Sequence, residues 1–208
     1  MPFVVEPLFG QDRLFEFLKK HLADRQWIEF RAAVAFVKRS GTQRICDDLR
    51  HFSKRAKVKL TVGTALNTSS EGLSDLLQYT RPGQVFVYGA ANCTFHPKVY
   101  LFKSDHQADV IVGSGNLTGG GIFDNFEAFL SVSLDLNSPA LQSIEKTLDS
   151  WSAEQEGRCY LLTKKFLKDE LVARGGRFAE LARAQFMVQE HARTSLHAKE
   201  TGISTAKL

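Results

Sequence analysis

The sequence predicts an α/β protein, with a mixed β-sheet that carries helices on both faces. In the first half, segments with apolar residues at helical spacing alternate with short apolar runs that are typical of strands. Such alternation favours a sheet with helices packed against it. In the second half, three apolar runs follow one another over short connections before the next helix, so the order of the elements changes there.

Helical periodicity defines three helices in the first half. Leu14, Leu18 and Leu22 share one face of the first helix, and Ser69 is a start signal for the third. The apolar runs between these helices predict buried strands. In order, we predict a helix over 11–24, a strand over 27–39, a helix over 42–55, a strand over 57–65, a helix over 69–80 and a strand over 84–89.

The second half is predicted to hold three strands and a helix, over 98–102, 108–114, 125–134 and 138–154. Ser138 and Pro139 are typical residues for the start of that helix. A length of 208 residues fits one domain with an appendage. We therefore predict a main domain over 1–160, a C-terminal helical segment packed on it over 161–193, and a polar tail, disordered or a linker, over 194–208.

The composition is that of a folded chain, because 43% apolar and 24% charged residues exclude wholesale disorder. A net charge of +4 and an isoelectric point of about 9.0 are compatible with a polyanionic partner but do not identify one. Cys46, Cys93 and Cys159 are too widely spaced to indicate a disulfide framework or a zinc site. Without a long apolar run or a signal-peptide pattern, we expect a cytoplasmic protein with no membrane partner and no cofactor.

His96 and Lys98 are polar residues at the start of an apolar strand. They share one face of that strand, because alternate residues point the same way. Pro97 between them cannot donate to a strand ladder, which suits a strand start or an edge. We therefore expect His96 at the entrance of the strand, open to solvent or a ligand. Tyr100 and Phe102 on the same face are expected in the core.

A Gly-Ser-Gly-Asn turn, 113–116, follows the next predicted strand and continues into the open loop 117–121. Its glycines let the backbone approach a ligand closely, and its hydroxyl, amide and backbone N–H groups suit an anion. Glu127 interrupts the strand after that. A buried carboxylate needs a partner, and we predict a ring nitrogen of His96 for that role.

The remaining polar residues give no further site. No pair of carboxylates accompanies the residues above, so the sequence gives little support to a two-metal mechanism, and we predict no metal site. The other histidines lack a pattern of partners and are predicted to lie at the surface: His21, His51, His106, His191 and His197.

The order His96-x-Lys98, Gly113-Ser114-x-Asn116 and then Glu127 closely resembles the signature of the phospholipase D superfamily. The resemblance is concentrated in residues 95–129. Two motifs at this distance, each beside an apolar strand, are more specific than His-x-Lys alone. The sequence departs from the pattern at one position, where the family has an aspartate and this chain has Lys103. Asp105 comes two residues too late. In this respect the chain is similar to restriction-endonuclease-like members that lack the aspartate.

The resemblance implies a phospholipase D-like catalytic domain over 1–160 that cleaves phosphodiester bonds without a metal. It also implies a homodimer, because family members need two His-x-Lys histidines per site and this chain has one. The active site would lie at the two-fold interface. The implied catalytic residues are His96, Lys98, Asn116 and Glu127, and the implied substrate contacts are Ser114, Gly113 and Gly115.

The branch that the missing aspartate indicates consists of nucleases of bacterial restriction or defence systems. The expected substrate is nucleic acid, DNA rather than RNA, and the expected partners are a DNA-recognition domain or a helicase. Two alternatives remain open: a phospholipid-directed hydrolase or transferase, and a non-catalytic nucleic-acid-binding or dimerisation module. The lack of a membrane anchor disfavours the first. The intact His96, Lys98, Asn116 and Glu127 disfavour the second.

Overall fold

The computed structural model describes residues 3–6, 13–64, 68–89 and 94–173. Within these residues the strands are β1 (Phe3–Glu6), β2 (Glu29–Val34), β3 (Lys57–Gly63), β4 (Val85–Tyr88), β5 (Lys98–Lys103), β6 (Gln107–Gly113), β7 (Glu127–Asp135) and β8 (Cys159–Leu161). The helices are α1 (Leu14–Ala23), α2 (Arg39–Arg55), α3 (Ser70–Tyr79), α4 (Pro139–Trp151) and α5 (Lys164–Ala173). A short π-helical turn, Gly120–Asp124, precedes β7.

All eight of these strands belong to one sheet, in the order β1-β7-β6-β5-β2-β3-β4-β8. Strands β2, β3 and β4 are parallel to one another, and we call them with helices α1 to α3 the parallel half. Strand β6 is antiparallel to both of its neighbours, β5 and β7, and these three strands form the antiparallel half. Strand β2 also pairs with β5, so it joins the two halves. The predicted mixed sheet is therefore confirmed.

The sheet has a core on each face, which confirms the prediction of helices on both faces. On one face, the apolar sides of α1, α2 and α3 pack on side chains that include Tyr100 and Phe102, both fully buried. On the other face, Leu141 and Leu148 of α4 pack against Leu101. Each fully buried side chain of this size stabilises the fold by about 1.5–3 kcal/mol.

The predicted helices and strands are confirmed in the described residues, with shifts at their ends. The start signals act as expected: the side chain of Ser69 accepts a hydrogen bond from Gly72 N at 3.1 Å, and that of Ser138 from Leu141 N at 3.3 Å. Strands β1 and β8 were not predicted. Helix α5 falls in the predicted C-terminal helical segment, while 174–193 and the predicted tail lie outside the described residues.

Buried polar side chains in the parallel half are hydrogen-bonded to one another. Thr42 Oγ1 on α2 donates to Asp75 Oδ2 on α3 at 2.7 Å, and Arg39 Nη2 donates to the other oxygen of Asp75 at 3.3 Å. Ser53 Oγ donates to Gln84 Oε1 at 2.8 Å. These contacts fasten α2 to α3 and to the start of β4. They satisfy groups that would otherwise destabilise the interior.

One predicted surface residue is buried. His21 on α1 is only 5% exposed, so its prediction as a surface histidine is wrong. The reason is its position on the same face of α1 as Leu14, Leu18 and Leu22, which all pack into the core.

Candidate active site

Three segments with the predicted site residues meet at one edge of the sheet. Strand β5 begins at Lys98, directly after His96 and Pro97, as expected for a strand start. Strand β6 is antiparallel to β5, with Val99 opposite Val112, so the end of β6 lies beside the start of β5. Strand β7 is antiparallel to β6 in turn, which brings its first residue, Glu127, to the same edge.

Lys98 is the buried member of the site and lies against the ring of His96. Its side chain is 8% exposed, whereas His96 is exposed. Lys98 Nζ lies 2.8 Å from His96 Nδ1 and 3.2 Å from Nε2, and it donates to His96 O at 3.1 Å. Because an ammonium group only donates, its contact with the ring requires a nitrogen without a proton. The ring of His96 is therefore held by Lys98 at the exposed end of the site.

Two opposing effects act on the pKa of Lys98. Burial lowers it, and the negative charge of Glu127 raises it to a smaller extent, so the net shift is downward. The ammonium group of Lys98 therefore lies at the start of β5 with little water around it. A positive charge in that position interacts more strongly with an anionic ligand than it would in bulk water.

Asn116 is fixed by a backbone group of the parallel half. Its Oδ1 accepts a hydrogen bond from Phe36 N at 3.1 Å, and the ring of Phe36 meets the ring of His96 edge-on at a centroid distance of 5.6 Å. With Oδ1 occupied, the amide NH₂ group, which has no partner in the described part of the protein, is left to donate to a ligand. Phe36 was not predicted as a site residue, because it precedes Asn116 by 80 positions.

Glu127 does not bind His96, so the predicted hydrogen bond between them is wrong. Its Oε2 accepts a hydrogen bond from Ser114 Oγ, and its Oε1 accepts one from Asn125 Nδ2 at 3.1 Å. Ser114 Oγ also accepts from Ala128 N at 3.1 Å. Glu127 therefore fixes the turn that carries Asn116 and acts on Lys98 through its charge. Neither Ser114 nor Asn125 was predicted as its partner.

The glycines of the turn are required by close packing against the protein itself. A Cβ atom at Gly113 would meet Ala128 O and the ring of Phe129, and one at Gly115 would meet Gly121 O. Tyr100 Oη donates to Gly115 O at 3.1 Å from the buried side of the sheet. The expectation of an open loop over 117–121 is also wrong, because Leu117, Gly119 and Gly121 are buried. Residues 120–124 form a packed turn with Ile122 fully buried.

Lys103, at the position of the family aspartate, lies far from this edge. It is the last residue of β5, about 17 Å from Lys98 at the rise of an extended strand. Its Nζ donates to Glu145 Oε1 on α4 at 2.6 Å. The residue at this position thus joins the sheet to α4 and does not reach His96.

Two searches of the described residues gave negative results. They hold no group of three or more His, Cys, Asp and Glu side chains arranged to bind a metal ion. None of the described helices combines the length and the apolarity needed to cross a lipid bilayer.

Sequence comparison gives little information on this chain. No family model matches it. A β-(1→2)glucan export ATP-binding/permease protein, NdvA, from Bradyrhizobium diazoefficiens is 65% identical over 37 residues, which are 18% of this chain and 6% of that protein. The NdvA protein of Rhodopseudomonas palustris strain CGA009 is 79% identical over 28 residues, 14% of this chain and 5% of that protein. The chain therefore matches only a small fraction of the length of these curated relatives.

Structure comparison identifies the fold. Nuc from Salmonella typhimurium, a phospholipase D family member, has a TM-score of 0.54 and 19% identity, with 77% of this chain and 97% of Nuc covered. NucT from Helicobacter pylori has a TM-score of 0.52 and 15% identity, with 72% of this chain and 93% of NucT covered. The described chain therefore has the phospholipase D-like fold that residues 95–129 predict.

Proposed function

We propose that this protein is a metal-independent phosphodiesterase that hydrolyses nucleic-acid phosphodiester bonds through a phosphohistidine intermediate. The observation that carries the proposal is the exposed ring of His96 against the buried ammonium of Lys98, with the oriented amide of Asn116 beside them. These groups supply a nucleophile and two donors for phosphate oxygens. The net charge of +4 suits a polyanionic substrate. We further propose a role in a bacterial restriction or defence system, with a DNA-recognition domain or helicase as partner.

The reaction would take place in two steps with two histidines. In the first, a ring nitrogen of one His96 attacks phosphorus, the bond to the leaving oxygen breaks, and the second His96 gives that oxygen a proton. In the second, water attacks phosphorus, the second His96 takes a proton from it, and the nitrogen–phosphorus bond breaks. Lys98 and Asn116 would stabilise the charge on the other phosphate oxygens in both steps.

A homodimer would supply the second histidine, and a partly exposed apolar row near the site supports it. Val99, Val112 and Leu130 form this row across β5, β6 and β7, and we call it the bare corner. Among the described residues, Val112 is exposed and the other two are half-buried. Helix α4 covers the next row of the same face, but Val112 stays 45% exposed. Phe126, one residue before Glu127, is 70% exposed. A two-fold contact between two such corners would bury apolar surface beside both sites.

Cleavage of plasmid DNA in EDTA tests the proposed activity. We expect the wild-type protein to cut, with a bell-shaped dependence on pH because the two histidines need opposite protonation states. His96→Ala is expected to lower the rate by about 10⁴-fold or more, as removal of a nucleophile does. His51→Ala, at an exposed histidine of α2, is the matched control and should keep full activity.

Three outcomes would contradict this activity. Activity that is lost in EDTA and restored by Mg²⁺ would exclude the metal-free mechanism. Cleavage of phosphatidylcholine, but not DNA or RNA, would favour the lipid-directed alternative. Binding of DNA without cleavage of either substrate would favour a non-catalytic module.

The dimer is tested separately by Val112→Glu. A carboxylate in the bare corner should convert the dimer to a monomer in light scattering and should abolish cleavage, because each site would lose its second His96. Ile28→Glu is the matched control. Ile28 is also 45% exposed, but it precedes β2 beside Lys103, at the end of the strands away from the site. A Val112→Glu protein that remains a fully active dimer would show that this surface is not the interface.

A further inference from the structure

His21 has a setting that neither the phosphodiesterase proposal nor the sequence explains. Its ring is stacked between Phe17, at a centroid distance of 3.9 Å, and Trp27, at 5.0 Å. Phe102 of β5 lies 5.0 Å from the same ring at a tilt. A histidine among three aromatic rings has lost most of its water, so each polar atom of the ring needs a partner in the protein.

Both ring nitrogens of His21 face oxygen atoms. Nδ1 lies 2.9 Å from Phe17 O, and Nε2 lies 2.9 Å from Asp109 Oδ2 on β6. A carbonyl oxygen only accepts hydrogen bonds, and an ionised carboxylate does the same. A neutral imidazole has one N–H group and would leave one of these contacts without a proton. Both are satisfied only if the ring carries a proton on each nitrogen.

Asp109 is suited to be the anionic partner. Burial by itself raises the pKa of Asp109, but hydrogen bonds from His21 and Ser133, together with the charges of His21 and Lys20, outweigh it, so the net shift is downward. Asp109 Oδ1 accepts from Ser133 Oγ on β7 at 2.7 Å and from Gln107 Nε2 at 3.2 Å. The carboxylate therefore stays ionised at neutral pH and contacts both β6 and β7.

We propose that His21 is an imidazolium at neutral pH and that its ion pair with Asp109 is a pH-sensitive clasp between α1 and the antiparallel half. The clasp bears on the candidate active site through α1. Phe15 of α1 meets Phe123 of the π-helical turn edge-on at 5.7 Å, and Gly121 of that turn packs against the backbone of Asn116. His21 and Asp109 are thus positioning residues for the turn behind Asn116.

The other charged groups near the clasp come from α1 and from the residue that follows it. The positive charge of Lys20 acts on Asp109, and His21 acts on the carboxyl of Asp24. The remaining neighbours are uncharged: Trp27 before β2, Phe102 of β5, and Gln107 and Ser133 beside Asp109. Asp109 is therefore the only acidic side chain within hydrogen-bond distance of His21 in the described residues, and the protonation of His21 depends chiefly on it.

The sign of the pH effect follows from these contacts. Protonated His21 binds two acceptors in the folded protein and only water in the unfolded chain, so folding favours the charged ring. The stabilisation therefore belongs to the ring with two protons, since the neutral ring can donate to only one of the two acceptors. Asp109 acts in the opposite direction, since its lowered pKa adds stability that disappears as the pH falls through that pKa.

Nuclear magnetic resonance of the wild-type protein tests the charge directly. We expect the ring of His21 to show protons on both Nδ1 and Nε2 at about pH 7.5, above the ordinary pKa of histidine. A single ring proton at that pH, and throughout the range below it down to the ordinary pKa, would overturn the proposal. This measurement needs no variant and does not depend on phosphodiesterase activity, so it can fail or succeed independently of the proposed function.

Unfolding in urea tests the clasp. For the wild-type protein, the ratio of folded to unfolded molecules at fixed urea should fall several-fold from about pH 6 to about pH 9, as the contacts of the charged ring are lost. Asp109→Asn should flatten this dependence, and His51→Ala should leave it unchanged. If Asp109→Asn does not fold, His21→Gln serves instead. An unaltered slope in the folded variant would contradict the clasp.

Discussion

The parallel half and the site edge of the antiparallel half differ in how their polar side chains are hydrogen-bonded. In the parallel half, Thr42, Asp75 and Arg39 form a closed set in which each group already has a partner. At the site edge of the antiparallel half, His96 is exposed. The Oδ1 atom of Asn116 accepts a hydrogen bond, but its NH₂ group has no partner among the described residues. Closed sets stabilise a fold, whereas donors and nucleophiles left open at an edge are available for chemistry. Substitutions in the parallel half and at the site edge should therefore have different kinds of effect.

After His96, whose loss is described above, the largest effect on the rate is expected at Lys98 in the antiparallel half. Lys98→Met keeps much of the buried apolar stem and removes the charge, so the fold should persist. The rate of phosphodiester cleavage should fall by about 10²–10³-fold, as on removal of one donor to a developing charge. The measurement is kcat on a defined oligonucleotide. Lys103→Met is the control, because Lys103 lies at the far end of the same strand. Equal rates in the two variants would remove Lys98 from the mechanism.

A smaller effect is expected at Asn116. Asn116→Asp keeps an oxygen for Phe36 N but replaces the donor by a second anionic oxygen, so the turn should hold its shape while phosphate is repelled. We expect a loss of about 10–10²-fold in kcat/KM with an unchanged melting temperature. A variant with a lower melting temperature, whose loss of activity matches its loss of folded protein, would indicate that Asn116 is purely structural.

The smallest effect is expected in the parallel half. Thr42→Val keeps the shape of the side chain and removes its hydrogen bond to Asp75, which retains Arg39 as a partner. The free energy of unfolding should fall by about 1 kcal/mol, with kcat unchanged below the melting transition. Chemical denaturation measures the first quantity and the cleavage assay the second. A fall in kcat that exceeds the loss of folded protein would show that Thr42 affects the candidate active site, contrary to this distinction.

The sequence predicted most of the elements because their apolar patterns are local. The helical spacing of Leu14, Leu18 and Leu22 and the alternation in β5 need only neighbouring residues to be interpreted. Strand parity also placed Lys98 with Tyr100 on one face correctly. The edge strands β1 and β8 were missed because strands of four and three residues carry too little pattern.

The errors at the site concern partners that are distant in sequence. Glu127 was paired with His96 by chemical suitability, but the register of β6 and β7 places Ser114 next to it. The helical spacing of His21 with Leu14, Leu18 and Leu22 could have predicted its burial, but not its partner, Asp109, which is 88 residues away. Such pairs depend on how strands and helices are brought together, and a single sequence contains no local signal for that.

The contact between Phe36 and Asn116 determines at what stage of assembly the candidate active site is complete. The hydrogen bond that orients Asn116 comes from the end of β2, the strand shared by both halves, across 80 positions of sequence. A contact of such separation closes a long loop, and the entropy cost of that closure must be offset by other contacts of the fold. A nascent or partly digested chain can carry His96 and Lys98 without an aligned amide. Under the proposed function, cleavage of phosphodiesters would then be confined to fully assembled molecules.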